Sequence, residues 1–496
     1  MSTTSTISSG TVSNSTGTIS SAGVGSGLNV NAIVSQLMAV EDVPLTNLQT
    51  AATSIQTTIS AFGSVQSALA TFQTAVQALT DPGTWSATTG TSSDSSSVTV
   101  STSTNAAAGA YAIQVTNLAS AQSTVSSTFA SGGSTVGSGT LHIDLGTWST
   151  NQTAFTAQSG STGMDIAVSA TDTLASLTTK INSANAGVTA SIVTDATGAR
   201  LVLTSATTGS ANGFRVTAAD ADGNNTDTSG LSALAFDPAG GATTSSITQS
   251  GANANATING LPVSSATNTL SNVMQGLTVN LLKATTSPVQ VTVAQDTASI
   301  TKTINTFVSA YNALTTLLNA DTKYDSGTAT SGPLQGDSTA VTLQRQLRTI
   351  LGSASTASTA FTTLSQAGLQ VQTDGTLQVN TPALTNALAN STQLKALFSA
   401  TDLGGPNNST GNGYATQFAS LCHSALGYQG LLTTRVAGLN SSLSQNQTDQ
   451  ANLNVILAAT QSRLQKQYSA LDTQMSTIST LSSFVTQQIA NWNKSS

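Results

Sequence analysis

Of 496 residues only 7% are charged, against roughly 25% in an ordinary soluble protein, so hydroxyl, amide and glycine residues must supply most of the polar surface. The 13 Lys and Arg and 20 acidic residues leave a net charge of −7, and no Lys or Arg precedes Lys180; the basic stripe that nucleic acid requires is missing, and an anionic membrane is a poor partner. No stretch approaches the roughly 18 apolar residues of a membrane span, residues 1–28 lack the basic start and apolar run of a cleaved signal, and the single cysteine, Cys422, excludes an internal disulfide.

Residues 1–28 are rich in Ser, Thr and Gly, and are expected to be a disordered tail because they bury too little apolar surface to offset the entropy of ordering. From Asn29 the pattern is helical: Ile33, Val34, Leu37 and Met38 share a face, with Asn29 or Asn31 available as N-cap. Pro44 marks a break or the first turn of a second helix. Along that helix Leu48, Ile55, Phe62, Leu69 and Val76 recur every seven residues, widened by Leu45, Ile59, Val65, Phe72 and Leu79. Such a repeat predicts a helix packed in a supercoiled seam, with Gly63 a weak point and the run from Asp81 to Gly83 its end.

The next two hundred residues alternate with a period of two. Val98/Val100, Tyr111/Ile113/Val115, Leu141/Ile143/Leu145 and Met164/Ile166/Val168 are expected strands. A short helix is expected over 173–185, followed by a hairpin turning at Thr197-Gly198 and a tight turn at Asn259-Gly260. Leu277/Val279/Leu281 and Val289/Val291/Val293 complete the β-rich region. At Thr297 the period becomes helical again, with Ile300/Ile304, Phe307/Tyr311 and Leu314/Leu318 in layers. A helix over 338–351 is expected, then a hairpin around Asp374-Gly375 and a helix opened by Thr381 as cap and Pro382 in the first turn.

The C-terminal segment answers the N-terminal one. Leu457, Leu464, Leu471, Ile478, Val485 and Trp492 keep the seven-residue spacing, and Tyr468, Met475 and Ile489 accompany them. Leu432/Val436 and Leu439/Leu443 extend the register upstream, interrupted by a polar layer at Asn446 and Gln450. From Leu439 onward there is no Pro or Gly, so one helix of roughly 80 Å is predicted. The expected fold is α+β and multidomain: N- and C-terminal helices form a coiled-coil stalk, and β-rich head domains are inserted between them. The stripes can close within the chain, between subunits, or both.

Chemistry has little to work with. His142 lies in an expected strand facing solvent, and His423 beside Cys422 points elsewhere on a helix. Gly336, Asp337 and Ser338 resemble a serine-esterase nucleophile block, yet precede a helix where Asp and Ser are natural caps. The run from Asp220 to Asp227 is the one carboxylate cluster, but Gly223 comes too early for an EF-hand and no terminal Glu follows. No catalytic residue, cofactor site or metal site is expected.

Several segments together resemble the flagellar hook-associated protein 2 family, the filament cap. They are Gly27 to Met38 (GLNVNAIVSQLM), Pro44-Leu45, Ile59 to Gly63 (ISAFG), Ala108 to Val115 (AGAYAIQV) and Leu118-Ala119. Residues 173–209, with Ile181 to Gly187 (INSANAG) and Arg200 to Ser205 (RLVLTS), are similar to a repeat shared by caps and some flagellins. The most specific block runs from Gly276 to Leu281 (GLTVNL) through Phe307 to Asn312 (FVSAYN) to Leu334 to Asp337 (LQGD). Likeness fades over 125–170 and 210–250.

The resemblance implies a disordered tail (1–28), N-terminal leg helices (29–80), an inner β head (81–120 with 250–296) and an outer β-rich head (121–249). A helical leg domain with a hairpin (297–428) and a C-terminal coiled-coil helix (429–496) complete the expectation. It further implies a homo-oligomeric ring, commonly a pentamer, at the distal tip of the flagellum. Flagellin, hook–filament junction proteins and an export chaperone are the implied partners, with no nucleic acid and no membrane. Export would follow the flagellar type III route without signal cleavage, and an exposed head could also serve as an adhesin. The expected partner and oligomer contacts are Ile33, Val34, Leu37, Leu48, Ile55, Phe62, Leu69, Val76, Leu457, Leu464, Leu471, Ile478, Val485, Ile489 and Trp492. The alternatives are a flagellin-like or hook-junction subunit and, from another class, a secreted hydrolase built on Ser338.

Overall fold

The computed structural model describes residues 29–494 apart from 105, 161, 328–329 and 404–408; the tail expected over 1–28 lies outside them. The helices in chain order are α1 (Val30–Glu41), α2 (Val43–Thr80), α3 (Pro82–Ser86), α4 (Leu174–Ala184), α5 (Thr297–Thr322), α6 (Ser338–Gly352), α7 (Thr381–Leu388), α8 (Ser391–Ser399), α9 (Tyr414–Leu426) and α10 (Leu431–Lys494). The chain divides into two compact units: a β unit, Asp81–Thr303, and a helical unit made of the segments up to Thr80 and from Ile304 onward.

In the helical unit, α1 starts where Asn29 accepts a hydrogen bond from the Ala32 amide at 3.0 Å, satisfying one of the orphan donors of a helix start. Pro44 falls in the first turn of α2, where its missing N–H costs nothing. The many hydroxyls of α2 bond back to carbonyls one turn earlier, as Thr50 does to Thr46 and Thr57 to Thr53, so a Ser/Thr-rich helix leaves few polar groups unsatisfied. Its seven-residue series turns inward over the second half: Phe62, Leu69 and Val76 are fully buried with Val65, Phe72 and Leu79. α2 packs on α9 and α10, and α1 on α10, so the two ends of the sequence do cover each other's apolar faces.

An aromatic cluster fills the centre, with Phe72 5.5 Å from Phe307, 5.7 Å from Tyr311 and 5.2 Å from Phe418. The FVSAYN block is thereby explained: Phe307 and Tyr311 face this core, while Asn312 clamps the hairpin strand Leu377–Val379. Its Nδ2 donates to the Leu377 carbonyl and its Oδ1 accepts the Leu377 amide, at 2.8 and 2.7 Å.

One cap differs from expectation, that of α7. α10 (Leu431–Lys494) starts within the 429–496 segment expected and spans 64 residues, about 96 Å at 1.5 Å per residue, against roughly 80 Å for the run from Leu439 alone. It runs through Gly438 because that position is solvent-facing, where glycine costs only about 1 kcal/mol. The cap of α7 is Asn380, whose Oδ1 accepts from the Ala383 amide, and Thr381 is the first helical residue. The helices α8 and α9 were not anticipated.

The β unit holds, in chain order, β1 (Thr88–Ser92), β2 (Val98–Thr102), β3 (Gly109–Asn117), β4 (Ser123–Val125), β5 (Gly139–Trp148), β6 (Phe155–Ala157), β7 (Met164–Val168), β8 (Val188–Asp195), β9 (Gly198–Ser205) and β10 (Gly213–Asp220). They are followed by β11 (Ser246–Gln249), β12 (Ala254–Ile258), β13 (Leu261–Ser265), β14 (Thr269–Met274), β15 (Leu277–Leu281) and β16 (Val289–Gln295). Antiparallel sheets of order β1-β16-β3-β12-β13 and β14-β15-β2 enclose one core, which includes Ile113, Val115, Val279 and Val291. A second core, with Leu141, Ile143, Leu177, Leu203, Phe214 and Val216, lies among β10-β5 with β6 and β7, the sheet β11-β4-β9-β8, and α4.

Local chemistry sets these turns. Asn259 and Gly260 adopt φ of +50° and +81° and join β12 to β13 in two residues, the left-handed pair that a tight hairpin needs. Thr173 and Ser176 form a capping box on α4, and Asn185 closes it in the left-handed conformation. Strands β1, β4, β6, β10, β11 and β14 escaped the sequence reading. β1 (TTGTS) contains no large apolar residue to reveal a period; β10, by contrast, holds a legible alternation of Phe214, Val216 and Ala218, all buried.

Candidate interaction surface

The stripe on α10 changes character along its length. Near Asn446 it faces α2 through a polar layer: Asn446 is buried, and Gln450 donates to its Oδ1 at 2.6 Å. Farther along, Leu457 is buried with Val30, Val34 and Met38 of α1, while Leu45, Leu453, Leu464 and Tyr468 flank them half-covered. Beyond Tyr468 the same seven-residue series emerges into solvent. Leu471, Met475, Ile478, Leu481, Phe484, Val485, Ile489 and Trp492 are all exposed, Ile478 to 61% and Trp492 to 79%. Phe484, Val485, Ile489 and Trp492 shape a shallow depression with Gln488 and Asn491.

The residues expected to make partner contacts therefore fall into three groups. Val34, Phe62, Leu69, Val76 and Leu457 are buried within the chain and build its own core, which corrects the expectation that they offer a surface. Ile33, Leu48, Ile55 and Leu464 are half-buried at the seam. Leu37, Leu471, Ile478, Val485, Ile489 and Trp492 face outward. Leu481 and Phe484 belong with this last group, and their spacing of three from Ile478 and from each other was the signal that could have found them. Fully covering a large apolar side chain is worth about 1.5–3 kcal/mol. Patches of this extent mark interaction sites on soluble chains.

The chemistry-bearing motifs resolve into structural roles. Asp337 caps α6, accepting from the amides of Thr339 and Ala340, and its second oxygen binds Arg435 Nη2 at 2.8 Å. A carboxylate so engaged does not orient a neighbouring hydroxyl, so the hydrolase alternative loses its one motif. Cys422 is buried, which pushes its thiol up to about 12, and the adjacent His423 is exposed. The carboxylates of 220–227 bind their own turns: Asp220 accepts the Ser232 amide and Asp227 the Ser229 amide. Among the described residues no group of three or more His, Cys, Asp or Glu could hold a metal ion. His142 lies on the face of β5 away from Leu141 and Ile143, as expected, but is only 33% exposed because Asp144 and Asp165 hold its two ring nitrogens.

Residues 251–480 match the family described as flagellar hook-associated protein 2 C-terminus, and 26–122 its N-terminus; 154–207 match the flagellin hook IN motif. The chain is 31% identical to the B-type flagellar hook-associated protein 2 of Pseudomonas aeruginosa, over 95% of this chain and 97% of that protein. It is also 31% identical to flagellar hook-associated protein 2 of Escherichia coli K12, over 95% of this chain and 98% of that one. Among solved structures, the D1-D2-D3 domains of the flagellar cap protein FliD from Escherichia coli align with a TM-score of 0.58 at 30% identity, covering 77% of this chain and 99% of that one.

Proposed function

Because the chain belongs to the flagellar hook-associated protein 2 family, a family of flagellar structural proteins and not of enzymes, we propose that it caps the filament at its distal tip. In this reading several copies, commonly five, close into a ring, and flagellin arriving through the filament folds and inserts beneath it. Export proceeds by the flagellar type III route without signal cleavage and with a chaperone, and the hook–filament junction is the first docking site.

The observation that carries this reading is the exposed seven-residue stripe from Leu471 to Trp492 on the last third of α10. It continues an intrachain seam past the point where the chain itself supplies a cover. A partner presenting its own amphipathic helix completes such a seam. Few charged residues flank it, so fit and apolar burial, and not salt bridges, set the choice of partner. The outward residue Leu37 of α1, with the half-buried Ile33 beside it, extends the proposed docking surface.

Removing residues 473–496 tests the assignment. The truncated chain is expected to keep its helical and β cores, seen as an unchanged cooperative melt, while a strain carrying only that form sheds monomeric flagellin into the medium. Full-length filaments grown on the truncated cap would sink the proposal.

A further inference from the structure

In a chain this poor in charge, five ionisable side chains gather on and around the face of β5 opposite its core residues Leu141 and Ile143. His142 and Asp144 lie two apart on β5 and so share a face. Asp165 on β7 is the cross-strand partner of His142, and Arg215 on β10 is that of Asp144. His142 Nδ1 lies 2.5 Å from Asp165 Oδ1 and its Nε2 lies 2.9 Å from Asp144 Oδ1. The other oxygen of Asp144 accepts from Arg215 Nη2 and Nε at 2.7 and 3.2 Å. Asp237 stands 4.0 Å from Arg215 Nη1, and the guanidinium sits 5.0 Å over the Phe155 ring. Gly163, at φ +67°, lies so close that a Cβ there would collide with His142 Nε2 and Asp144 Oδ1.

This geometry stabilises the protonated imidazole. A neutral ring has one N–H and one lone pair, so one of its nitrogens would present a lone pair to a carboxylate oxygen. Only the imidazolium, with two donors, satisfies Asp165 and Asp144 together. We propose that His142 is a proton-operated clasp that fastens β7 to β5, closed around neutral pH and below it for as long as both carboxylates stay ionised, and opened as the imidazolium proton leaves.

The groups facing the ring are Asp165 from β7, Asp144 on its own strand and, through Asp144, Arg215 of β10 with Asp237 beyond. From α4, which packs on β7, Lys180 donates to the Ala167 carbonyl and to Asp172, a separate tether at the far end of the strand. Asp165 raises the His142 pKa above its ordinary 6.5; partial burial opposes this and Asp144 adds to it. A raised folded-state value stabilises fully below the ordinary pKa, and that stability is lost as pH rises through the raised one. β7 is the element that feels it, because β5 is its sole strand partner among the described residues. The clasp is independent of what α10 binds.

Hydrogen exchange of the full chain, followed by mass spectrometry from pH 6 to 9 and corrected for intrinsic rates, tests it. Amides of 164–168 should lose about fivefold protection across the histidine titration, the scale of one partly exposed charge pair. His142→Gln should show the low protection at every pH. Asp165 is 72% exposed, so Asp165→Ala leaves folding intact; there the C2–H exchange of His142 should report a lower midpoint than in the parent chain. Protection of β7 that is flat with pH in the parent, or a His142 midpoint unmoved by Asp165→Ala, overturns the proposal.

Discussion

Asp337 shows how one side chain can look catalytic in sequence and prove architectural in space. One carboxylate oxygen closes the start of α6 and the other holds Arg435 of α10, with the Asp337 side chain only 6% exposed. A lost cap costs about 1 kcal/mol, and the half-exposed ion pair adds about 0.5 kcal/mol. Asp337→Ala is therefore expected to destabilise the helical unit by about 1.5 kcal/mol, measured by denaturant unfolding. Asp337→Asn keeps the cap and should lose only the smaller share. His142 teaches the opposite lesson: alternation along β5 placed it on a strand, but its partners come from β7 and from its own strand neighbour. No local pattern announces a cross-strand carboxylate 23 residues away.

At the scale of elements, α2 and α10 carry the same seven-residue signature and meet different fates. On α2 the series ends in the core, where Leu69 is fully buried. On α10 it leaves the chain's own cover after Tyr468. Leu69→Ala should lower unfolding free energy by about 2–5 kcal/mol, the usual cost of emptying a packed site. Ile478→Ser should leave the unfolding midpoint within about 0.5 kcal/mol, yet weaken sedimentation of the chain with itself or with flagellin. An Ile478→Ser protein that unfolds as readily as Leu69→Ala would show that the stripe is covered after all. The seven-residue period was legible in both helices. Which of their faces is covered was not, because periodicity reports that a face seeks burial without saying whose atoms provide it. Strands with large alternating residues were equally legible, whereas β1, built on threonine, glycine and serine, carried too little hydrophobic contrast.

For the molecule as a whole, both cores of the β unit lie inside Asp81–Thr303. A fragment of residues 81–303 is accordingly expected to fold alone, with a β-type circular dichroism spectrum and a cooperative thermal transition; a molten, non-cooperative fragment would contradict this. The sequence by itself determined the class of the fold, the helical ends around a β-rich middle, and family membership, because hydrophobic period and turn chemistry are local properties repeated over long stretches. Only the tertiary structure decided that Phe62, Leu69, Val76 and Leu457 are core while Ile478, Val485 and Trp492 are surface, and that His142 bridges two carboxylates. Burial and ion pairing depend on which distant segments arrive at a residue, and that information belongs to the packed chain.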